Sequence, residues 1–166
     1  MEKERILILD KERIDRKLQR MAYQLWEYNS NEPAVTLIGI DGTGLAVAKS
    51  LAERLKAISK LDVQVIAIKM NKKQPLHDDI NIKDDLSGRS VVLVDDVANS
   101  GKTLLYALKP LLAYELKKIL IAVLVDRKHK SFPISPDIVG HTVATTLQEH
   151  IEVEHHNNDI TAAYLQ

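Results

Sequence analysis

The sequence contains no cysteine among its 166 residues. These residues therefore hold no disulfide and no thiol nucleophile, and the absence suits a reducing compartment. Aromatic material is scarce, with one Trp and one Phe. Trp26 and Phe132 are expected in core or interface packing rather than as stacking platforms. An excess of one charge is missing too, because 23 basic and 23 acidic side chains cancel. A non-specific DNA binder usually carries a basic excess, so that class is disfavoured. A local basic patch for RNA remains compatible with zero net charge. No apolar run, such as residues 119–125, approaches the roughly 20 residues that cross a bilayer. The charged start, residues 1–5, lacks the apolar stretch and cleavage site of a secretory signal. A cytoplasmic protein with no membrane partner is expected. No repeat, low-complexity run or linker interrupts the chain, and its length fits a single domain over residues 1–166.

What is present is an alternation of apolar strands and amphipathic helices. Residues 5–9 read as a short strand. Asp10 then offers a carboxylate to cap a helix whose stripe is Ile14, Leu18, Met21, Ala22, Leu25 and Trp26. Residues 34–40 form a continuous β-branched apolar run, expected as a strand buried on both faces. A glycine-bearing loop, residues 39–44, leads to a second helix with Leu45, Ala48, Leu51, Ala52 and Leu55 on one side. Further strands are expected at residues 62–70, 90–94 and 119–125, with a helix from about 103 to 114. Shorter β-like pieces follow at 141–145, 151–154 and 161–165. Residues 71–89 are polar, contain Pro75 and have no period; loops of that length are often functional. The alternation implies an α/β fold with a parallel central sheet flanked by helices. Such sheets bind ligands beyond the carboxyl ends of their strands.

The segment Val91-Val-Leu-Val-Asp95-Asp96-Val97-Ala98-Asn99-Ser100-Gly101-Lys102-Thr103 carries the chemistry. A buried strand ends in two carboxylates, and a loop of small and hydroxylated residues then opens a helix. Free N–H groups at a helix start, with the positive end of its dipole, suit a phosphate. Ser100 and Thr103 add hydroxyl donors, and Gly101 lets backbone approach the ligand. Carboxylates repel phosphate but suit a neighbouring polyol or a metal, so a sugar phosphate explains both halves. The Gly101-Lys102-Thr103 ending resembles a nucleotide-binding P-loop, but that motif needs a glycine where Asp96 stands.

These thirteen residues resemble the signature of type I phosphoribosyltransferases, which bind 5-phosphoribosyl 1-pyrophosphate. The resemblance implies that Asp95 and Asp96 contact ribose, with a possible magnesium between them and the substrate, while residues 97–103 cradle the 5-phosphate. It also implies a type I phosphoribosyltransferase-like fold with a small β-containing hood. A narrower likeness comes from Leu124-Val-Asp126-Arg127-Lys-His129-Lys-Ser-Phe-Pro133-Ile134 and Asp137-Ile-Val-Gly140. Together with Ile8-Leu9-Asp10, Thr145, Asp159 and the closing Ala163-Tyr164-Leu165, they resemble the pyrimidine operon attenuator and uracil phosphoribosyltransferase family. That family implies Mg2+ with the pyrophosphate substrate, a base pocket around Arg127, Phe132, Ile134 and Val139, a homo-oligomer, and RNA as a partner. Two functions follow. One is transfer of ribose 5-phosphate to a nucleobase, uracil first among them, giving UMP and pyrophosphate. The other is a UMP- or PRPP-sensing, RNA-binding regulator of pyrimidine genes with weak or no catalysis.

Two departures bear on this choice. Ile40, Asp41, Gly42, Thr43 and Gly44 occupy the place of the family's pyrophosphate loop, yet Asp41 and Thr43 stand where relatives present basic side chains. A tight strand-to-helix turn and a working pyrophosphate loop both fit. The segment after residue 70 lacks the family's tyrosine–arginine pair; Lys72 or Lys73 could supply the charge, and Asp78, Asp79, Asp84 and Asp85 read as a solvated loop. The run Arg127, Lys128, His129, Lys130 reads either as a solvated loop or as the border of the base pocket and an RNA face. His155 and His156, adjacent on a strand, point to opposite faces and are expected at the surface.

Overall fold

The computed structural model describes residues 4–71, 73–74, 80, 82–146 and 148–166. Lys72, Pro75, Asp78 and Asp79 lie outside them. In chain order the elements are β1 (Ile6–Leu9), α1 (Lys11–Tyr28), β2 (Ala34–Ile40), α2 (Thr43–Ile58), β3 (Asp62–Ile68), β4 (Ser90–Ala98), α3 (Lys102–Leu111), β5 (Lys118–Arg127), β6 (Ile138–Val143), β7 (Ile151–His156) and β8 (Asp159–Leu165).

Five strands make a wholly parallel sheet in the order β3-β2-β4-β5-β6. Its central strands are buried on both faces, which is why they read as unbroken apolar runs. Val92, Leu37, Ala122 and Leu124 pack towards α1 and α2, in a cluster with Met21, Leu25, Leu51 and Leu55. Val91, Leu93, Ile121 and Val123 pack towards α3, against Leu104, Ala107 and Leu111. The expected α1 stripe is buried except Trp26, which is 41% exposed and sits 6.4 Å from the Tyr23 ring, outside the core. Asp10 caps α1 as expected, its carboxylate accepting from the Arg13 N–H at 2.9 Å.

The remaining strands form an antiparallel sheet in the order β1-β8-β7, the small β-containing unit expected above the parallel sheet. Leu9, Ile151, Val153, Ile160 and Ala163 join the α1/α2 cluster, so both sheets share one core.

Several boundaries differ from the sequence reading for physical reasons. β4 runs through Asp95, Asp96 and Val97 to Ala98, because β5 is long enough to pair with it as far as Ala98↔Asp126. The connecting loop is correspondingly short. α3 ends at Leu111 rather than near 114, closed by the Leu112 N–H donating to the Leu108 and Lys109 carbonyls at 3.1 and 3.2 Å. β6 begins at Ile138, three residues before the expected 141, in register with Ala122 of β5. Gly140 falls inside that strand, where a Cβ would sit 2.4 Å from the Leu124 carbonyl oxygen. Residues 82–86 are not merely solvated: Ile82 and Leu86 are buried in the α3-side cluster, and the Tyr114 hydroxyl donates to the Ile82 carbonyl at 3.0 Å. Lys73, Asp84 and Asp85 are exposed.

Candidate active site

In the order β3-β2-β4-β5-β6 the connections leave β2 in one direction and return through β4 in the other. The crevice between the carboxyl ends of β2 and β4 is thus a topological switch point, where open α/β sheets bind ligands. A cavity of about 410 Å³ lies there, lined by Thr43 after β2, by Asp95 to Gly101, Thr103 and Leu104 around the end of β4, and by His150, Ile151, Glu152 and Val153 of the small sheet.

β4 delivers its two acids to different environments. Asp95 is 1% exposed, and its Oδ1 accepts the Asp96 N–H at 2.9 Å. Gly44 in the first turn of α2 packs on it so closely that a Cβ would lie 2.6 Å from Asp95 Oδ1. Asp96 is half-buried. The loop beyond is held from two sides. The Ser100 carbonyl accepts from the Ser131 and Phe132 N–H groups, each at 3.1 Å. Asn99 exchanges two hydrogen bonds with the backbone of Ile151, each at 3.4 Å, tying the loop to β7.

Both helices that open on the crevice start without a side-chain cap. α2 begins after Gly42 at φ 94° and α3 after Gly101 at φ 85°, conformations that favour glycine. Neither has an acid in its first turn. Apart from the Lys102 N–H, which donates to the Ser100 hydroxyl at 3.2 Å, their leading N–H groups and dipoles are open to anions. By contrast α1, which starts away from the crevice, carries its own carboxylate cap.

The sequence-derived residues are distributed as follows. Asp95, Asp96, Val97, Ala98, Asn99, Ser100, Gly101 and Thr103 line the cavity; Lys102, half-buried on α3, does not. Of the loop after β2 only Thr43 lines it, while Ile40 is buried, Asp41 and Gly42 are exposed, and Gly44 backs Asp95. Arg127, Phe132, Ile134 and Val139 do not line this cavity. Ile134 and Val139 belong to the α3-side cluster, and Phe132 sits edge-on to Tyr106 at 6.5 Å. Arg127 is 8% exposed and donates to the Thr146 carbonyl at 3.0 Å. The four-residue basic run is thereby divided: Lys130 lies 2.7 Å from the Asp126 carboxylate, and only Lys128 and His129 are exposed. The wall formed by residues 150–153 escaped the sequence reading, since an alternating strand carries no local sign of its neighbour.

Sequence reading also missed a basic group elsewhere. α1 packs on β6 and brings Arg13, Lys17 and Arg20 near His141. Burial, then Arg20 and Arg13, pulls the Lys17 ammonium below its ordinary value. Burial, then Lys17 and Arg13, does the same to the His141 imidazole. The Arg20 guanidinium is fixed by the Val139 and Gly140 carbonyls at 3.2 and 2.7 Å.

Among the described residues no group of three or more potential ligands could enclose a metal ion, and no helix is long and apolar enough to cross a membrane. Two strand-tip carboxylates lining the crevice nevertheless match how magnesium is held, by one or two carboxylates plus substrate oxygens.

Residues 7–158 match the phosphoribosyl transferase domain family. The bifunctional protein PyrR of Bacillus cereus is 32% identical over 168 residues, covering 94% of this chain and 93% of the relative. The bifunctional protein PyrR 1 of Lactiplantibacillus plantarum is 33% identical over 167 residues, covering 92% and 93%. In three dimensions the hypoxanthine phosphoribosyltransferase of Trypanosoma cruzi superposes with a TM-score of 0.78 at 15% identity over 94% of each chain. A hypoxanthine-guanine phosphoribosyltransferase from Bacillus anthracis gives 0.71 at 19% identity, over 83% and 82%. The switch-point crevice, its acid-tipped strand and these likenesses agree, and the chain belongs to the phosphoribosyltransferase family, among the relatives of PyrR.

Proposed function

We propose that the protein transfers ribose 5-phosphate from 5-phosphoribosyl 1-pyrophosphate to uracil, giving UMP and pyrophosphate, with the whole chain acting as one cytoplasmic phosphoribosyltransferase unit. The observation that carries this is the single crevice in which Asp95 and Asp96 meet the uncapped start of α3. Asp95 and Asp96 accept hydrogen bonds from the ribose hydroxyls. The N–H groups of residues 97–101, with the Ser100 and Thr103 hydroxyls, donate to the 5-phosphate. Thr43 and the start of α2 face the pyrophosphate. Charge builds on that leaving group as the ribosyl centre becomes cation-like, so donors fixed at its end of the crevice are the main catalytic contribution of the chain. Magnesium carried with the substrate, held by Asp95 and Asp96, would neutralise part of the same charge. Arg127, Phe132, Ile134 and Val139 shape the base side, a placement resting on resemblance and on the bonds that tie Ser131 and Phe132 to Ser100.

The test is calorimetric and kinetic. Asp96→Asn should weaken UMP binding by about tenfold, the loss of a charge-assisted hydrogen bond; unchanged affinity would overturn the assignment of the acids. Saturating 5-phosphoribosyl 1-pyrophosphate, Mg2+ and uracil should release pyrophosphate; UMP binding without turnover on any base would favour the second reading.

That second reading, an RNA-binding regulator of pyrimidine genes, is favoured by the Arg13, Lys17, Arg20 and His141 group, whose mutual repulsion an anionic partner would relieve. RNA affinity should fall steeply with salt, and removing Arg13, Lys17 or Arg20 should in each case flatten the log–log slope by about 0.7–0.9. An unaltered slope in Arg13→Ala and Lys17→Ala would exclude this face. Self-association, implied by the resemblance, is measured by sedimentation of the same samples.

A further inference from the structure

Thr43 is the one residue of the loop after β2 that lines the crevice, and its hydroxyl is bonded from outside that loop. Its Oγ1 lies 3.0 Å from Nδ1 of His155, on β7 of the small sheet. The direction of this bond decides what the hydroxyl can do. If Thr43 donates to His155, its only proton is spent, and the hydroxyl offers nothing but lone pairs to an anion. If His155 donates from Nδ1, the Thr43 proton is free to point into the crevice. Only the second arrangement suits an anionic ligand beside the N-terminal turn of α2.

We infer that His155 is a positioning residue for the leaving group: donating from Nδ1 to the Thr43 hydroxyl, it orients that hydroxyl to donate to pyrophosphate. This deepens the proposed transferase reading and rests on it. The loop carries Asp41 and no cation, so its own hydroxyl is the donor and a residue of the second sheet aims it. The acids of β7 and β8 nearest His155 are engaged elsewhere. Arg5 binds Glu152 and Glu154 at 3.3 and 2.6 Å, and Lys11 binds Asp159 at 2.6 Å. Asp41 is exposed. The bulge at Glu154/His155 breaks the regular alternation of β7 at the residue that reaches Thr43.

Direct calorimetry with magnesium pyrophosphate and, separately, with UMP tests this on the full chain. His155→Ala and Thr43→Val should each weaken pyrophosphate about tenfold, the loss of one hydrogen bond to a charged group, and the double variant should be no worse than either single one. UMP, which lacks the pyrophosphate group, should bind all of them as it binds the wild type. His155→Asn, whose amide can occupy the Nδ1 position, should restore most of the affinity. Wild-type affinity for pyrophosphate in His155→Ala would overturn the inference. So would an equal loss of UMP binding, or an Asn variant no better than Ala. Because these are binding measurements, a wild type that binds pyrophosphate but turns over no base would sink the transferase reading alone, whereas one that binds none would remove the role of His155.

Discussion

Gly44→Ala is the substitution whose effect the geometry fixes most sharply. The new methyl would lie 2.6 Å from Asp95 Oδ1, 3.2 Å from Asp95 Cα and 3.4 Å from Ile40 Cβ. Carbon and oxygen rest at about 3.3 Å or more, so roughly 0.7 Å of movement is required. Asp95 has nowhere to go, being 1% exposed with its Oδ1 bonded to the Asp96 N–H. Either α2 retreats from β4 or the carboxylate turns. Overpacking of this kind costs about 1–3 kcal/mol, and replacing a helical glycine by alanine returns about 1 kcal/mol. The net stability loss should therefore be only about 0–2 kcal/mol. Ligand affinity should suffer more, because a displacement near 1 Å at a reacting group can cost about a hundredfold. We expect UMP binding, followed by calorimetry, to weaken by about 10- to 100-fold while urea denaturation shows a modest change. Gly42→Ala is the control: nothing lies within 4 Å of its Cβ, though φ is +94°. It should cost about 1–3 kcal/mol of stability through backbone strain and leave UMP affinity intact. Wild-type UMP binding by Gly44→Ala would refute the claim that Asp95, held by α2, forms part of the ribose site.

Two further outcomes follow from close packing and from charge. Gly140→Ala puts a methyl 2.4 Å from the Leu124 carbonyl oxygen and 3.1 Å from Met21 Sδ, inside a paired strand; its urea midpoint should show a loss at or above the upper end of about 1–3 kcal/mol, and a midpoint like wild type would contradict the β5–β6 register. His141 is held below its ordinary value by burial and by Lys17 and Arg13. The unfolded chain then binds the extra proton between the folded value and about 6.5, so stability rises with pH across that window and is lost on acidification through it. His141→Gln should flatten that part of the stability–pH curve, and an unchanged curve would dismiss the effect.

Much of the scaffold is visible in the residues themselves. Runs such as 91–94 and 119–125 are apolar at every position because both faces are covered, and the parallel sheet follows from their alternation with α1, α2 and α3. The acid pair and the hydroxylated loop stand out in the sequence as a proposed sugar-phosphate site because few ligands call for both. What escaped has one common cause, dependence on partners distant in sequence. The end of β4 is set by the length of β5, 20 or more residues away. Gly140 carries no sign in the sequence that Leu124 lies beneath it. Trp26 fits the apolar period of α1, yet nothing packs over it in the core. The wall of the crevice and the His155–Thr43 bond join residues about 50 and 112 positions apart.

The pairing of β1 with β8 also sets an order of events in time. β7 walls the crevice, β8 pairs with β7, and β1 pairs with β8 across a separation such as Ile6↔Leu165. Closing so long a loop is entropically slow compared with forming the neighbouring β2–α2–β3 units. On a ribosome the acid-tipped strand and its loop can be folded while the wall is still missing. A nascent chain that has not yet released β7 and β8 thus carries the acid-tipped half of the crevice without its wall.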